Sequence, residues 1–337
     1  MKIIIFAMLA LMLTVAPVCA DDFQDGLDAY MRADYKTVFE KFKPLAEQGV
    51  AEAQLKLGLM YDNGLGVTQD YKEAFKWYRL SADQGIAEAQ FNLGVMYDYG
   101  LGVTQDYKEA FMWYRLSADK GIAEAQYNLG VMYDKRKGVA QDYIEAVKWY
   151  RLSADKGIAE AQYNLGIIYY MGKGVTQDYK EATKWFLLSA EQGIAKAQYN
   201  LGVIFDNGLG VTQDYKESFK WYRLSAEQGN AKAQFNLGSM YYHGMGVAQD
   251  YIEAVKWYRL SAEQGNAKAQ ANLGVVYALG KGVTRDDVLA HMWCNIAGAN
   301  GYKKARKLRD TVEKQMTPVQ IAEAQKLARE WMERYYK

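Results

Sequence analysis

The sequence has few cysteines and histidines, and this scarcity excludes several kinds of chemistry. Its 337 residues contain two Cys and two His. The histidines, His243 and His291, lie 48 residues apart, and neither has a second His or Cys at the spacing of a metal site. A nucleophilic serine would need a base beside it. We therefore predict no catalytic residue, no metal site and no cofactor.

Excess charge and long apolar runs are also missing. The chain has 41 Lys and Arg residues against 40 Asp and Glu residues, so its formal net charge is +1. A nucleic-acid-binding protein draws its affinity from an excess of basic residues, so we predict no nucleic-acid partner. After residue 20, no stretch approaches the roughly 20 apolar residues that a transmembrane helix needs. We expect no integral membrane segment in the mature protein.

The first 20 residues have the composition of an export signal. Lys2 precedes an apolar run, and Val18 and Ala20 occupy the positions that a signal peptidase reads. Cleavage after Ala20 would place the protein outside the cytoplasm, in the periplasm or secreted, and would leave Cys294 as the single thiol, so no internal disulfide is possible. Lipidation of Cys19 is the alternative, but the preceding valine is larger than the residue that a lipoprotein signal carries there.

A period of 36 residues dominates the rest of the sequence. The tetrapeptide AEAQ or AKAQ begins at Ala51, Ala87, Ala123, Ala159, Ala195, Ala231 and Ala267. A tryptophan keeps the same period at Trp77, Trp113, Trp149, Trp185, Trp221, Trp257 and Trp293. Such self-similarity indicates a repeat protein. We predict seven repeats, 51–86, 87–122, 123–158, 159–194, 195–230, 231–266 and 267–302, with a partial repeat at 21–50 and degenerate capping helices at 303–337.

Each repeat is predicted to form two helices. In the first repeat, the side chains of Ala53, Leu57, Met60 and Tyr61 recur at the three-and-four spacing of one buried helical stripe. Gly58, at the centre of this helix, costs about 1 kcal/mol of helix propensity. Glycine recurs at this position in the following repeats. This recurrence predicts that another helix packs so closely against this point that a side chain would not fit.

A loop with two glycines separates the two helices. Gly64 and Gly66 end the first helix, and Asp70 begins the second. Asp70 and Glu73 have the spacing of a capping box, in which each side chain accepts from the other residue's backbone amide. Gly85 supplies a left-handed stop for the second helix. A hairpin this short cannot bury its apolar surface alone, so the repeats must stack into a solenoid.

The recurring positions resemble the signature of the Sel-one-like repeat family, a branch of the tetratricopeptide-type helical repeats. In the first repeat they are Ala53, Leu57, Gly58, Tyr61, Gly64, Gly66, Val67, Asp70, Ala74, Trp77, Tyr78, Ala82 and Gly85. The resemblance implies an all-α fold, a right-handed α-solenoid of antiparallel helix pairs, with a concave face made mainly by the first helices. It also implies scaffold or adaptor roles, often in bacterial envelopes and in contacts with host proteins.

Three functions are compatible with this resemblance. The main hypothesis is an exported, non-enzymatic and monomeric scaffold that binds a protein or peptide in its concave groove. Some exported relatives carry a cysteine pair in each repeat and have been credited with β-lactam binding or hydrolysis, so a β-lactam-binding or β-lactam-hydrolysing enzyme is the alternative. The lack of such pairs here weakens that transfer. A purely structural envelope spacer is the third hypothesis.

Ligand choice is expected where the repeats vary on the exposed side of the first helix. The second, fifth and ninth positions of each repeat share one stripe by helical spacing. Aromatic and branched residues at the fifth and ninth positions are typical of binding hot spots. These partner-binding candidates are Phe91, Tyr127, Tyr163, Tyr199, Phe235, Val95, Val131, Ile167 and Val203. The alternative is that the stripe packs against the adjacent repeat as core.

The second position changes sign along the chain. It reads Glu52, Glu88, Glu124, Glu160, Lys196, Lys232, Lys268 and Lys304. Such a charged edge would orient an extended partner. Block duplication is the alternative origin of the pattern, because VAQDYIEAVKWYRLSA occurs at Val139 and again at Val247.

The sixth position carries a ladder of asparagines. They are Asn92, Asn128, Asn164, Asn200, Asn236 and Asn272. Asn is a mediocre helix former, so its return in mid-helix calls for another explanation. The amides either tie neighbouring repeats together or grip the backbone of a bound peptide.

One loop departs from the pattern. Arg136 stands where the other six full repeats have glycine, within the basic stretch Lys135, Arg136 and Lys137. A left-handed conformation costs a non-glycine residue about 1 kcal/mol. We therefore expect a locally altered, mobile basic loop in place of the regular turn.

Overall fold

The structure, a computed structural model, describes residues 21–335. The predicted signal peptide, residues 1–20, lies outside this range. Within it the chain forms 18 helices and no strand, and the prediction of an all-α solenoid of helix pairs is confirmed. None of these helices combines the length and the apolar character needed to cross a membrane. The described residues divide into two compact units, the first ending at Ala161 and the second beginning at Gln162.

The first unit is a series of helix hairpins. Its helices are α1 (21–31), α2 (Tyr35–Glu47), α3 (Ala51–Asn63), α4 (Tyr71–Asp83), α5 (Ala87–Tyr99), α6 (Tyr107–Asp119), α7 (Ala123–Lys135) and α8 (Tyr143–Asp155). Helix α9 (Ala159–Met171) begins at the end of this unit. From α2 to α8, each helix packs against the next one along the chain.

The second unit has the same plan and ends in two further helices. After α9 its helices are α10 (Tyr179–Glu191), α11 (Ala195–Asn207), α12 (Tyr215–Glu227), α13 (Ala231–His243), α14 (Tyr251–Glu263), α15 (Ala267–Leu279), α16 (Asp287–Ala299), α17 (Lys303–Glu313) and α18 (Pro318–Tyr335). From α10 to α16 each helix packs against its successor, and α18 packs against α16.

The buried stripe predicted for the first helix of each hairpin is present. In α3, the side chains of Ala53, Leu57 and Met60 are at most 1% exposed. Tyr61, the fourth predicted member of the stripe, is only half-buried.

The second helix contributes Tyr78, which is fully buried, and Trp77, which is 8% exposed. Each large apolar side chain buried in this way contributes about 1.5–3 kcal/mol relative to its exposed state. The core is shared between repeats, because the cluster around Tyr78 of α4 also contains Leu93 of α5 and Trp113 of α6.

A glycine in the middle of the first helix allows the second helix to approach closely. A Cβ atom on Gly94 would lie 2.6 Å from Cδ1 of the buried Tyr114 ring. The same overlap would occur between Gly58 and Tyr78. The close approach predicted from the sequence is confirmed, and its partner is the tyrosine of the same hairpin.

The two glycines of each loop have different roles. Gly64 is the left-handed C-cap of α3, with φ 67° and ψ 33°. A Cβ on Gly64 would lie no closer than 3.5 Å to a neighbouring atom. Gly66 also has a positive φ, 71°, but a Cβ there would lie 2.6 Å from the carbonyl oxygen of Tyr35. The first glycine provides only a backbone conformation, whereas the second also lets the loop contact the preceding repeat.

Arg136 adopts the conformation that glycine has in the other repeats. It caps α7 with φ 58° and ψ 37°. The next N–H, that of Lys137, donates to the carbonyl oxygen of Met132 at 3.0 Å, as in the regular turns. The expectation of a locally altered loop is therefore wrong, because arginine takes the left-handed backbone of the equivalent glycines, where a Cβ would lie 3.2–3.5 Å from its nearest neighbour. The mobility of Lys135, Arg136 and Lys137 stays a prediction.

The capping box predicted for the second helix is only half present. Asp70 Oδ1 accepts from the backbone N–H groups of Lys72, at 2.8 Å, and Glu73, at 3.2 Å. The N–H of Asp70 donates to the carbonyl oxygen of Tyr61 at 2.9 Å and not to the Glu73 carboxylate. The predicted hydrogen bond from the N–H of Asp70 to the carboxylate of Glu73 is therefore wrong. This N–H instead joins the loop to the first helix. Glu73 pairs instead with Lys76, at 3.4 Å.

The glutamine of the recurring tetrapeptide joins neighbouring repeats. Gln54 is buried, and its Nε2 donates to the carbonyl oxygen of Ala46 in the preceding helix at 3.0 Å. A buried carbonyl left without this donor costs about 1–3 kcal/mol. A second link is the guanidinium of Arg79, which lies 5.1 Å from the ring centre of Trp113 in the next repeat. Such a cation–π contact contributes about 0.5–1 kcal/mol.

We predict opposite effects on stability from substitutions at the two loop positions of the third repeat. Arg136→Gly relieves left-handed strain, so it raises the free energy of unfolding by up to about 1 kcal/mol. Gly138→Ala lowers it by more than this, because the new Cβ would overlap the backbone of Tyr107. Urea denaturation followed by circular dichroism measures both changes. Gly102→Ala, at the same position of the preceding repeat, is the matched control for Gly138→Ala, and equal effects at positions 136 and 138 would contradict the separate roles.

Candidate interaction grooves

The first unit contains an open groove on the side of its first helices. Its volume is about 770 Å³. The lining consists of Phe23, Glu52, Leu55, Lys56, Leu59, Ile86, Glu88, Phe91, Asn92, Ile122 and Glu124. Among the predicted residues, this lining includes one aromatic anchor, Phe91, and three acidic residues of the charged edge. Predicted residues of this unit that do not line it are Val95, Tyr127, Val131 and Glu160.

The second unit contains a groove of the same kind, with a volume of about 660 Å³. The lining consists of Tyr199, Ala231, Lys232, Phe235, Asn236, Gln264, Gly265, Asn266, Ala267, Lys268, Asn300, Gly301 and Tyr302. Two predicted aromatic anchors and two predicted lysines are thus brought together. Predicted residues of this unit that do not line it are Tyr163, Ile167, Val203, Lys196 and Lys304.

Three of the five stripe aromatics, Phe91, Tyr199 and Phe235, line a groove, and all five also pack against a ring of their own hairpin. The ring of Phe91 lies 5.9 Å from that of Tyr114, and Phe235 lies 6.0 Å from Tyr258. The remaining stripe aromatics make equivalent contacts, in the pairs Tyr127–Tyr150, Tyr163–Phe186 and Tyr199–Tyr222. All five stripe rings are only half-buried. The ninth-position residues Val95, Val131, Ile167 and Val203 are also half-buried.

The last position of each repeat also lines the grooves, and sequence reasoning missed it. Ile86 and Ile122 line the first groove, whereas Asn266 and Tyr302 line the second. Asn266 Oδ1 accepts from the N–H of Lys268 at 3.1 Å, so it also caps α15. The signal was a change from isoleucine to asparagine at this position in the fifth repeat, the same repeat in which the second position changes from glutamate to lysine.

The two grooves differ in charge. Glu52, Glu88 and Glu124 are exposed, and none forms an ion pair within the described part of the chain. Their helices, α3, α5 and α7, carry six carboxylates and two lysines. In the second groove, α13 and α15 each carry one lysine and no carboxylate. The charges predicted for the groove edge are therefore present at the rims, with opposite signs in the two units.

The asparagine ladder connects neighbouring repeats. Asn128 hydrogen-bonds to Tyr114 of the preceding hairpin. Asn236 makes the same bond to Tyr222. Burial raises the pKa of both tyrosines, and the hydrogen bonds from the asparagines oppose this shift only in part. These phenols therefore stay protonated at physiological pH. Because Asn92 and Asn236 also line the grooves, the choice between joining repeats and gripping a bound peptide stays a prediction.

The two histidines lie in different helices. His243 is exposed at the end of α13, where its ring lies 4.9 Å from that of Tyr242. His291 is buried in α16, with Nε2 3.4 Å from Oε2 of Glu313, and burial lowers its pKa. Within residues 21–335, no three side chains of the metal-binding types come together. The arrangement offers apolar and charged contacts to a partner.

The family profile of the Sel1 repeat matches seven consecutive segments of this chain. The segments are 51–86, 87–122, 123–158, 159–194, 195–230, 231–266 and 267–302. Their boundaries coincide with the 36-residue period of the sequence. A search of curated proteins gives no match.

Two solved structures are similar to this chain. A Sel1 repeat protein from Oxalobacter formigenes is 32% identical, with a TM-score of 0.62, over 72% of this chain and 96% of that chain. The protein c5321, a protective antigen present in uropathogenic Escherichia coli strains and displaying an SLR fold, is 30% identical, with a TM-score of 0.46, over 97% of this chain and 95% of that chain. The resemblance proposed from the sequence is confirmed.

We predict that Cys294 is unreactive in the folded protein. Its side chain is fully buried in α16, and burial raises the pKa of its thiol to about 12. The nucleophilic thiolate is therefore scarce at about pH 8. Ellman's reagent should label the thiol only after denaturation in guanidinium chloride, and Cys294→Ala should give no signal in either state. Rapid labelling of the native protein would contradict this burial.

Proposed function

We propose that this protein, which belongs to the Sel1 repeat family, is an exported scaffold that binds a protein or peptide segment in the grooves of its first helices. Its repeats form a scaffold suited to protein–protein interaction. The observation that carries the proposal is the placement of half-exposed rings beside exposed, unpaired charges in open grooves.

The rings that line the grooves are held in place by the core. Phe235 packs against Tyr258, and the space of the Tyr258 ring is available only because Gly238 has no side chain. A ring already fixed in this way loses little further entropy when a partner binds. The exposed part of the ring offers apolar area, whose burial is worth about 25 cal/mol per Å². Apolar anchors supply affinity, and rim charges select orientation.

Export is the second part of the proposal. It rests on the sequence of residues 1–20, with a basic residue, an apolar run and small residues before the cleavage point. After cleavage the chain contains one thiol, Cys294, and this thiol is buried. A chain without exposed thiols is suited to an oxidising compartment, where exposed cysteines form unwanted disulfides.

The scaffold is proposed to act without catalysis. Sel1 repeat proteins are generally non-catalytic scaffolds. The repeats of this chain lack the cysteine pairs of the relatives credited with β-lactam chemistry. The groove linings contain lysines and glutamates but neither histidine nor cysteine, so they offer binding contacts and no nucleophile–base pair.

A photo-crosslinking residue in a groove should capture the partner in the native cell. Benzoylphenylalanine at Phe91 or Tyr199 keeps an aromatic ring at the groove, so irradiation should give discrete adducts that mass spectrometry identifies. The same residue at Leu116 or Leu260, which are exposed on second helices, is the control and should give none. Adducts from the control positions alone would contradict the groove assignment, and no adducts at all would favour the structural spacer.

Export predicts a mature chain that begins at Asp21. Intact-mass spectrometry of the protein from fractionated native cells should find this N-terminus outside the cytoplasm, because signal peptidase reads the small residues before it. Ala20→Leu places a large side chain at the cleavage position and should leave the signal attached. An uncleaved wild-type chain in the cytoplasmic fraction would refute export.

A further inference from the structure

We propose that the groove of the second unit selects acidic peptide segments. Lys232 and Lys268 at its rim attract the carboxylates, and the rings of Tyr199, Phe235 and Tyr302 receive the apolar side chains. The proposal rests on the proposed function of the grooves and adds the chemistry of the partner.

The two rim lysines give this groove an uncompensated positive charge. Each is exposed and is the second residue of its helix, α13 or α15. Neither helix contains Asp or Glu, and neither lysine forms an ion pair within residues 21–335. A lysine in the first turn is opposed by the helix dipole, so these side chains do not stabilise their own helices. Their charge is available to a partner.

The same groove offers unused hydrogen-bond donors. Asn266 caps α15 through its Oδ1, which accepts from the N–H groups of Lys268 and Ala269. The Nδ2 of Asn266 makes no hydrogen bond in the part of the chain that the structure describes. Asn266, with two N–H donors on this atom, is thus part of a lining that also contains half-exposed rings. This combination suits the carbonyl and carboxylate oxygens of a peptide.

The first unit provides an internal comparison. Its groove has the same plan, but Glu88 and Glu124 occupy the repeat positions of Lys232 and Lys268. Like charges across an interface reduce affinity, and opposite charges increase the rate of association. Two grooves of one design with rims of opposite sign therefore discriminate between partners of opposite charge.

The size of the second groove favours a peptide over a larger polyanion. Its volume of about 660 Å³ lies within the range of about 300–1,000 Å³ that is typical of sites for compact ligands. A bilayer or a nucleic acid presents mainly phosphates, whose binding depends on many basic residues in contact at once. Rings and amides inside a groove instead match the side chains and backbone of a peptide segment.

Fluorescence anisotropy with the full mature protein tests the proposal. Three synthetic peptides share their length and apolar residues and differ only in carrying Glu, Lys or Gln at the remaining positions. The variant Lys232→Glu, Lys268→Glu should bind the Glu peptide at least about tenfold more weakly than the wild type. Glutamate occupies the same position in four other repeats, so this variant is expected to fold, and circular dichroism checks that it does.

The matched control is the variant Lys220→Glu, Lys256→Glu. These lysines are exposed on the second helices α12 and α14 of the same unit, and the change in net charge is identical. Because neither lines the groove and distant surface charges are screened by salt, affinity for the Glu peptide should stay within about twofold of the wild type.

Four results would overturn the proposal. Equal losses in both variants would show that net charge, and not the groove, sets the affinity. Tight binding of the Gln peptide without preference for the Glu peptide would refute the selection and leave the proposed function intact. Failure of the wild type to bind any of the peptides would refute both. Binding of phosphatidylglycerol vesicles that is lost in the groove variant, without binding of the Glu peptide, would assign the groove to lipid head groups.

Discussion

The glycine at the centre of each first helix is the constraint on which the rest of the hairpin depends, because it leaves room for a side chain of the second helix. Gly94 leaves the space that the Tyr114 ring fills, and Phe91 then packs against the same ring from the groove side. In the first repeat, the hydroxyl of the equivalent Tyr78 donates to Asp62 at 3.1 Å. One tyrosine thus closes the hairpin and supports the ring that a partner would meet. The groove surface is therefore a direct continuation of the core.

Much of the fold could be predicted because the constant positions each satisfy a local physical requirement. The spacing of Ala53, Leu57 and Met60 predicts a buried helical stripe, and the structure buries all three. Gly58 in mid-helix, where glycine is unfavourable, indicates a close contact. Repetition adds strength to each inference, because a pattern seen seven times cannot be a local coincidence.

Other features of the fold and of the grooves could not be predicted, because they depend on distances and contacts between residues that the sequence does not show. The N–H of Asp70 had two candidate acceptors, and the carbonyl of Tyr61 is the one it bonds to. At position 136 the regular turn depended on whether neighbouring atoms leave room for a Cβ, and a sequence does not display such distances. The groove linings draw Asn266 and Tyr302 from turns between repeats, and helical spacing within one helix says nothing about such residues.

The loop glycine and the tetrapeptide glutamine together limit how this chain changes in length. Gly102 lies against the backbone of Tyr71, and Gln90 bonds to the carbonyl of Ala82, so each repeat is fixed to its predecessor at two separate points. Insertion of one residue would displace both, whereas duplication of a whole repeat recreates both. The mutational step that best preserves both contacts is therefore a gain or loss of complete 36-residue modules. The number of repeats can therefore change during evolution while the contacts between neighbouring repeats stay the same.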